Sequence, residues 1–537
     1  MQMRRRAQEE GGFTLLVVMG GLTVVILLSV VAVAAVRGDL HLTRDDLDHR
    51  QAYEAANAGL NDYVFHLKVD SAYWTHCTEV EAPSALNQPG STANRRAVPG
   101  NTGGKYAIEL IPATGKSKCE PGEKAAATMI EPSGPMKGTF RIRSTGYSGD
   151  TEVSIVATFK PASFLDYVYF TQRETLDPVT YGFANPSPAL DGAYAQCGKT
   201  LQEGRNNVPI PNSPEGEYCV AISFVKGDAI NGPMHTNDAF VMCETPTLGR
   251  SASDPVEVSS PPKGWYSTKE VPHSESTCKG SPTFKGTFIT NAPVITPPPT
   301  NSELKKIAEL SFKGQVRICL SGASLTVAAG KSCSETILYS GPIPPSGVVY
   351  VANDPEKSCS SAYSPYTAVY PASSPCGNVY VQGNYSGQLT IAAENDIIVN
   401  GSMIHSGEGV LGLIANNFVR VYHPFSNPET STQTARAKCN GGSNGAGSIS
   451  NLRIDAAILA INHSFIVDHY DCGAPLGTLT VNGALAQKFR GPVGSTGTGG
   501  TGYIKSYNYD DRLHYLAPPS FIEPQESDWV IGRATIE

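Results

Sequence analysis

The sequence predicts a mainly β protein with one long N-terminal α-helix. A small antiparallel sheet follows, and then an irregular right-handed parallel β-helix, with a β-sandwich as the alternative for that last part. Three observations predict this. The 24 residues from Phe13 to Val36 carry no charge. Residues 37–68 repeat apolar positions at helical spacing. From Phe164 onward, short apolar stretches alternate with Gly, Asn and Asp turns.

The uncharged run comes first. At ~1.5 Å per residue it makes a helix of ~36 Å, longer than a ~30 Å hydrocarbon core. A water-facing helix would carry a charged side, and this run has none. A transmembrane helix is therefore expected at 13–36. Arg4, Arg5 and Arg6 precede it. Such a basic cluster resists translocation, so the N-terminus is expected in the cytoplasm and the bulk of the chain outside. A plain signal anchor and a cleaved signal peptide are the alternatives. Ala32-Val33-Ala34 matches a cleavage pattern, but the run exceeds the about 7–15 apolar residues of a signal peptide.

A basic leader, Gly12, then Phe13-Thr14-Leu15-Leu16 and a long apolar helix resemble the type IV pilin class. The resemblance implies cleavage after Gly12 by a prepilin peptidase and a mature N-terminus at Phe13. It also implies a filament of other pilin-like subunits. The family usually carries Glu at the fifth mature position, where it neutralises a neighbour's amine. Here that position is Val17. A buried amine without its carboxylate is costly, which points to a minor or tip subunit rather than a shaft subunit.

Leu40, Leu47, Ala52, Ala56, Leu60, Val64 and Leu67 recur mostly three, four or seven apart. This predicts an amphipathic continuation of the helix to about Lys68. Arg50-Gln51-Ala52-Tyr53-Glu54-Ala55-Ala56-Asn57-Ala58-Gly59-Leu60 resembles the Ala-Glu-Ala-Gly-Leu segment of PilX-type minor pilins, with Asn57 in place of a usual Glu. Arg37-Gly38-Asp39 falls inside the expected helix and cannot project as a recognition loop.

Composition narrows the rest. Charged residues are 17%, with 53 Gly and 39 Pro, which suits strands and turns. With 40% hydrophobic residues the chain can bury a core. Net charge is −8, and loss of residues 1–12, with three Arg and two Glu, leaves −9. No basic patch stands out, so nucleic acid is not an expected partner. All 12 cysteines lie beyond the uncharged run. Their even number predicts disulfides in an oxidising compartment. Pairing between sequence neighbours would give local loops, with Cys319/Cys333 and Cys359/Cys376 as the first candidates. Reduced, buried thiols are the alternative.

Thr139–Gly146 and Thr151–Phe159 alternate in the strand period and read as a hairpin turned at 147–150. Segment 81–104 reads as a loop. Beyond Phe164 each unit holds a short strand, a polar turn and another short strand, as in Leu389–Ile404, Val410–Val421, Leu452–Ala460 and Leu476–Ala486. Such strands bury little alone and share a core when stacked. Asn and Asp are expected at left-handed corners. Thr300 and Glu303 match a capping box before a short helix carrying Leu304, Ile307 and Leu310. Gly494–Gly502 reads as a flexible loop without a phosphate-binding ending.

The expected organisation is a leader at 1–12, a transmembrane helix at 13–36 and a helix-and-sheet region at 37–160. A connecting region at 161–220, a solenoid at 221–505 and a C-terminal cap at 506–537 follow. Enzyme chemistry has few candidates. Asp468 with Asp471, and Asp510 with Asp511, are paired carboxylates in turn-like sequence, read as solvated corners. His463, Asp468, His469 and Asp471 lack a recognised metal spacing. His235-Thr236-Asn237-Asp238 follows a turn and reads as a corner. No catalytic residue, metal or cofactor is expected. The expected function is a minor or tip pilin-like surface protein in pilus assembly or adhesion. A membrane-anchored carbohydrate-active enzyme and an envelope scaffold are the alternatives.

Overall fold

The structure, a computed structural model, describes residues 11–70, 72–77, 95–100, 103–132, 136, 138–213, 216–274, 277–360, 363–426, 442–495, 500–525 and 529–537, without the side chains of 11–14, 32–43 and 530. The chain is mainly β, with several sheets and one long N-terminal helix. It divides into two units. The first holds residues up to Pro161 together with 528–537; the second is Ala162–Ser527.

In the first unit, helix Gly11–Val69 is continuous over 59 residues. The expected helix end at Lys68 falls one residue short of this. Among the described residues no helix is long and apolar enough to cross a membrane. Of the expected 13–36 span, side chains are described for 15–31 only, and all are exposed. The second half of the helix buries Ala52, Ala55, Ala56, Leu60, Tyr63 and Leu67, on the face the spacing predicts. Full burial of a large apolar side chain contributes ~1.5–3 kcal/mol, so this stripe rather than helix propensity holds the element in place.

The helix lies on an antiparallel sheet ordered Arg96–Ala97, Lys105–Ile111, Phe140–Ser148, Thr151–Pro161, Trp529–Ile536. The central hairpin turns on Gly149 at φ 55°. Strand 96–97 lies inside the segment expected to be loop, of which 81–94 and 101–102 fall outside the described residues. Approach between helix and sheet is close. A Cβ on Gly146 would strike the Ala52 carbonyl and the Ala56 nitrogen. Ser144 donates from Oγ to the Ala56 carbonyl at 2.8 Å. Phe140 stacks on Phe159 at 5.0 Å and meets Trp529 edge-on at 4.7 Å.

The second unit is built mainly of parallel ladders, with an antiparallel run of Val316–Gly322, Ser324–Ala328 and Ile337–Pro342 beside them. One runs Thr283–Phe284, Thr247–Leu248, Ala229–Asn231, Thr501–Tyr509, Pro475–Phe489, Arg453–Ala460, Val410–Ala415, Gln388–Ala393, Val348–Ala352, Leu310–Lys313. A second runs Thr287–Thr290, Pro255–Val258, Met234–Thr236, Tyr169–Arg173 and the end of 475–489. A third runs Val316–Gly322, Val379–Tyr385, Ile397–Val399, Val419–Val421, Phe465–Val467. Inward Val, Ile, Leu and Ala from these strands form one core cluster.

The order is not sequential. The chain starts in the middle of the stack and builds outward to 283–290. It resumes at the far end with 310–313 and returns strand by strand until 501–509 pairs with 229–231.

Four expectations change. Tyr169–Arg173, placed in a connecting region, is a ladder strand. The tail does not cap a last rung: 501–509 is a rung. Pro519 and Phe521 lie over the outer side of Thr390 and Gly412, and 529–536 completes the sheet of the first unit. Asn301 holds the N-cap position of helix Ser302–Ile307 without a side-chain capping bond: its amide donates to the Ala393 and Ile414 carbonyls, while Thr300 Oγ1 accepts from the Ser302 nitrogen at 3.2 Å. The corner asparagines mostly do not take left-handed backbone. They form amide ladders, as where Asn417 donates to Asn395 and Asn395 to Asn378, each at 2.6 Å. Left-handed positions fall largely to glycine, which meets no Cβ penalty there.

Disulfides join Cys77–Cys119, Cys197–Cys219, Cys243–Cys278, Cys319–Cys333 and Cys359–Cys376. Cys472 is also disulfide-bonded, and Cys439 lies outside the described residues.

Candidate functional site

Gly12 and Phe13 lie within helix Gly11–Val69, and residues 1–10 of the expected leader 1–12 lie outside the described residues. Of the carboxylates singled out in the sequence, Asp511 is exposed as expected, whereas Asp468 is not a solvated corner. Asp468 is fully buried beside strand 465–467. Arg420 donates from Nε and Nη2 to its two oxygens, each at 3.0 Å. The hydroxyls of Tyr363 and Tyr370 donate to the same oxygens at 2.5 and 2.8 Å. Arg420 also reaches Asp396 through Nη1 at 3.2 Å. Burial pushes the Asp396 carboxyl up, with Arg420 opposing. A carboxylate holding four donors has no lone pair left for a substrate proton.

Burial raises the Asp471 carboxyl to about 6. Asp510 pairs with Arg512, while Asp511 takes a two-point bond from Arg250 at 2.9 and 3.0 Å. His463 faces Asp177 through Nδ1 at 2.9 Å and stacks on Phe418. His469 donates from Nδ1 to the His423 carbonyl at 2.7 Å. The two rings therefore serve different partners, and among the described residues no His, Cys, Asp or Glu group is arranged to hold a metal. His235 is buried between Glu257 and Asn237, and Asp238 is buried against Arg205. These are structural ties across rungs.

Other residues line a concavity in the second unit. A cleft of about 520 Å³ lies in the second unit between segment 220–228 and the rungs at 475–477 and 492–505. Val220, Ile222, Val225, Pro475, Pro492 and Ile504 give it apolar walls, and Lys226, Asp228, Thr501 and Lys505 add polar groups. Gly494–Ser495 pairs antiparallel with Thr501–Gly502 at its rim, so the ends of the expected glycine loop are strand. The four residues 496–499 lie outside the described residues.

Lys505 sits at the base. Its Nζ donates to Asp228 Oδ2 at 2.9 Å, and that oxygen also accepts from the Val225 nitrogen at 3.1 Å. The side chains of Lys505 and Asp228 are only 10% and 2% exposed. Burial pulls the Lys505 ammonium below its usual range, with Asp228 opposing. Behind the cleft, Arg490 pairs with buried Glu174 at 2.8 Å and lies 3.6 Å over the Phe224 ring. Sequence reasoning passed over Lys505, although a signal was present. In Thr501–Tyr509 the inward positions are Tyr503, Lys505, Tyr507 and Tyr509. A lysine in phase with three inward tyrosines must be buried and must be paired.

No protein-family model and no curated protein matches the chain. Among solved structures it is similar to the competence-associated pilin ComZ from Thermus thermophilus, at 11% identity over 91% of this chain and 97% of that one. With a TM-score of 0.30 that likeness carries no argument about fold or role.

Proposed function

We propose that the chain is a minor or tip subunit of a type IV pilus-like filament. In this reading residues 13–36 anchor it in the cytoplasmic membrane before assembly, and the second unit projects outside for adhesion or filament initiation. The observation that supports it most is the single helix Gly11–Val69, which carries the Gly12–Phe13 junction and buries its second half on an antiparallel sheet. A prepilin peptidase and other pilin-like subunits are the partners this implies, and Val17 in place of the usual Glu supports a position where no neighbour's amine needs a carboxylate. The N-terminus is of the PilX type. The stacked ladders of the second unit are turns of a right-handed parallel β-helix, since a sandwich of antiparallel sheets would not pair its strands in parallel. The role is binding or assembly rather than catalysis: Asp468, Asp510 and Asp511 are each engaged by arginine.

Mass spectrometry of the mature N-terminus, in cells that carry the peptidase, tests this. A chain starting at Phe13 is the expected product. A chain that keeps Met1 overturns the filament reading and leaves a permanently anchored exterior protein.

A further inference from the structure

We propose that the cleft above Lys505 binds a small organic monoanion, a carboxylate carried on an apolar body. Four observations carry this. At about 520 Å³ the cleft has the size of a small-molecule site, typically ~300–1,000 Å³. Its walls at Val220, Ile222, Val225 and Pro492 suit an apolar body. Its charge is unbalanced: Asp228 is matched by Lys505, and Lys226 at the exposed rim makes no ion pair among the described residues. Among the described residues Asp228 is the one carboxylate that lines it.

The fourth observation is the donor count. An ammonium carries three N–H donors. Among the described residues Lys505 Nζ makes one hydrogen bond, to Asp228. In a group this buried, donors without acceptors are costly. Lys505 is among the residues lining the cleft, so an acceptor oxygen held there against Nζ completes the ammonium. A carboxylate does this best, because its bonds to an ammonium are charge-assisted. It also restores part of the stabilisation that burial removes from Lys505. This site is independent of the filament reading and stands if the leader proves uncut.

Saturation-transfer NMR on the purified full-length chain tests it, with phenylacetate as the probe and phenylacetamide as its neutral isostere. Phenylacetate is expected to bind saturably and at least about tenfold more tightly than the amide, a difference of ~1.4 kcal/mol. Lys226→Glu, on an exposed side chain, is expected to weaken phenylacetate by about tenfold and leave the amide unchanged. Ser223→Trp, at the cleft wall, is expected to abolish both. Equal affinity for acid and amide overturns the proposal. So does binding that both variants leave intact, and so does the lack of any saturable phenylacetate signal.

Discussion

The side-chain amide of Asn231 donates to Asn508 at 2.8 Å, tying together positions 277 apart in sequence. Asn508 in turn donates to Asn482 at 3.0 Å, and Asn482 to Asp455 at 2.7 Å. The first three stand on adjacent strands in register, Asn231 opposite Asn508 and Asn508 opposite Asn482. The ladder therefore crosses the seam where the returning chain meets its own first rung. Lys505–Asp228 and Arg250–Asp511 cross the same seam.

Replacing Asn508 with Leu should weaken that seam. Asn231 would lose its acceptor and Asn482 its donor. Half-buried groups stranded this way cost about 1–3 kcal/mol. Urea unfolding should show a lower midpoint with little change in slope. Amide exchange should rise first in 229–231 and 501–509.

Arg420→Met should be far more damaging. It leaves Asp468 and Asp396 buried without their cation, a loss of about 3–5 kcal/mol. Adding Asp468→Asn and Asp396→Asn to that variant should recover much of it, because the uncompensated charges are then gone. Thermal melts of the single and triple variants check this, and no recovery would show that arginine packing against Tyr363 dominates.

Asp471 should make stability depend on pH between about 4 and 6. Its carboxyl is raised to about 6 in the folded chain from 3.8, so the native state holds the proton that the unfolded state releases. Its contribution is full below about pH 4 and falls as pH rises through 6. The swing is of the order of 2–3 kcal/mol. Asp471→Asn should flatten this part of the curve and raise stability at pH 7, as read from denaturant midpoints across pH.

Gly146→Ala should loosen the first unit. Its Cβ would enter the Ala52 carbonyl of the helix, and backbone cannot swing aside as a side chain can. Overpacking of this kind costs about 1–3 kcal/mol. Limited proteolysis should cut within 44–69 faster, with the second unit unaffected.

Loss of one local disulfide should be measurable but tolerated. Cys319 and Cys333 close a loop with a separation of 14. Opening a loop of that length costs about 3 kcal/mol in the chain-entropy account. The Cys319→Ser, Cys333→Ser pair should lower the melting temperature while leaving the parallel pairing of 316–322 with 379–385 intact by amide exchange.

Local rules were legible in the residues themselves. The apolar stripe Ala52–Leu67 announced the helix and its buried face. Alternation announced the 140–161 hairpin, and apolar runs with glycine turns announced short stacked strands. Each of these depends on neighbours within a few positions, where period and propensity act. Nearest-neighbour pairing within Cys319–Cys333 and Cys359–Cys376 has the same short reach.

The ties that make one molecule of these pieces belong to the tertiary structure alone. Nothing near Asp468 names Arg420, Tyr363 and Tyr370 as its donors, and its turn-like flanks speak for solvent instead. Nothing near Trp529 says that the chain returns to the strand ending at Pro161. The doubling back of the second unit, which sets residue 508 on residue 231, is equally silent in sequence. Burial and hydrogen-bond satisfaction are properties of three-dimensional neighbours. A charge or an amide takes its role from whatever the folded chain brings within about 3 Å of it.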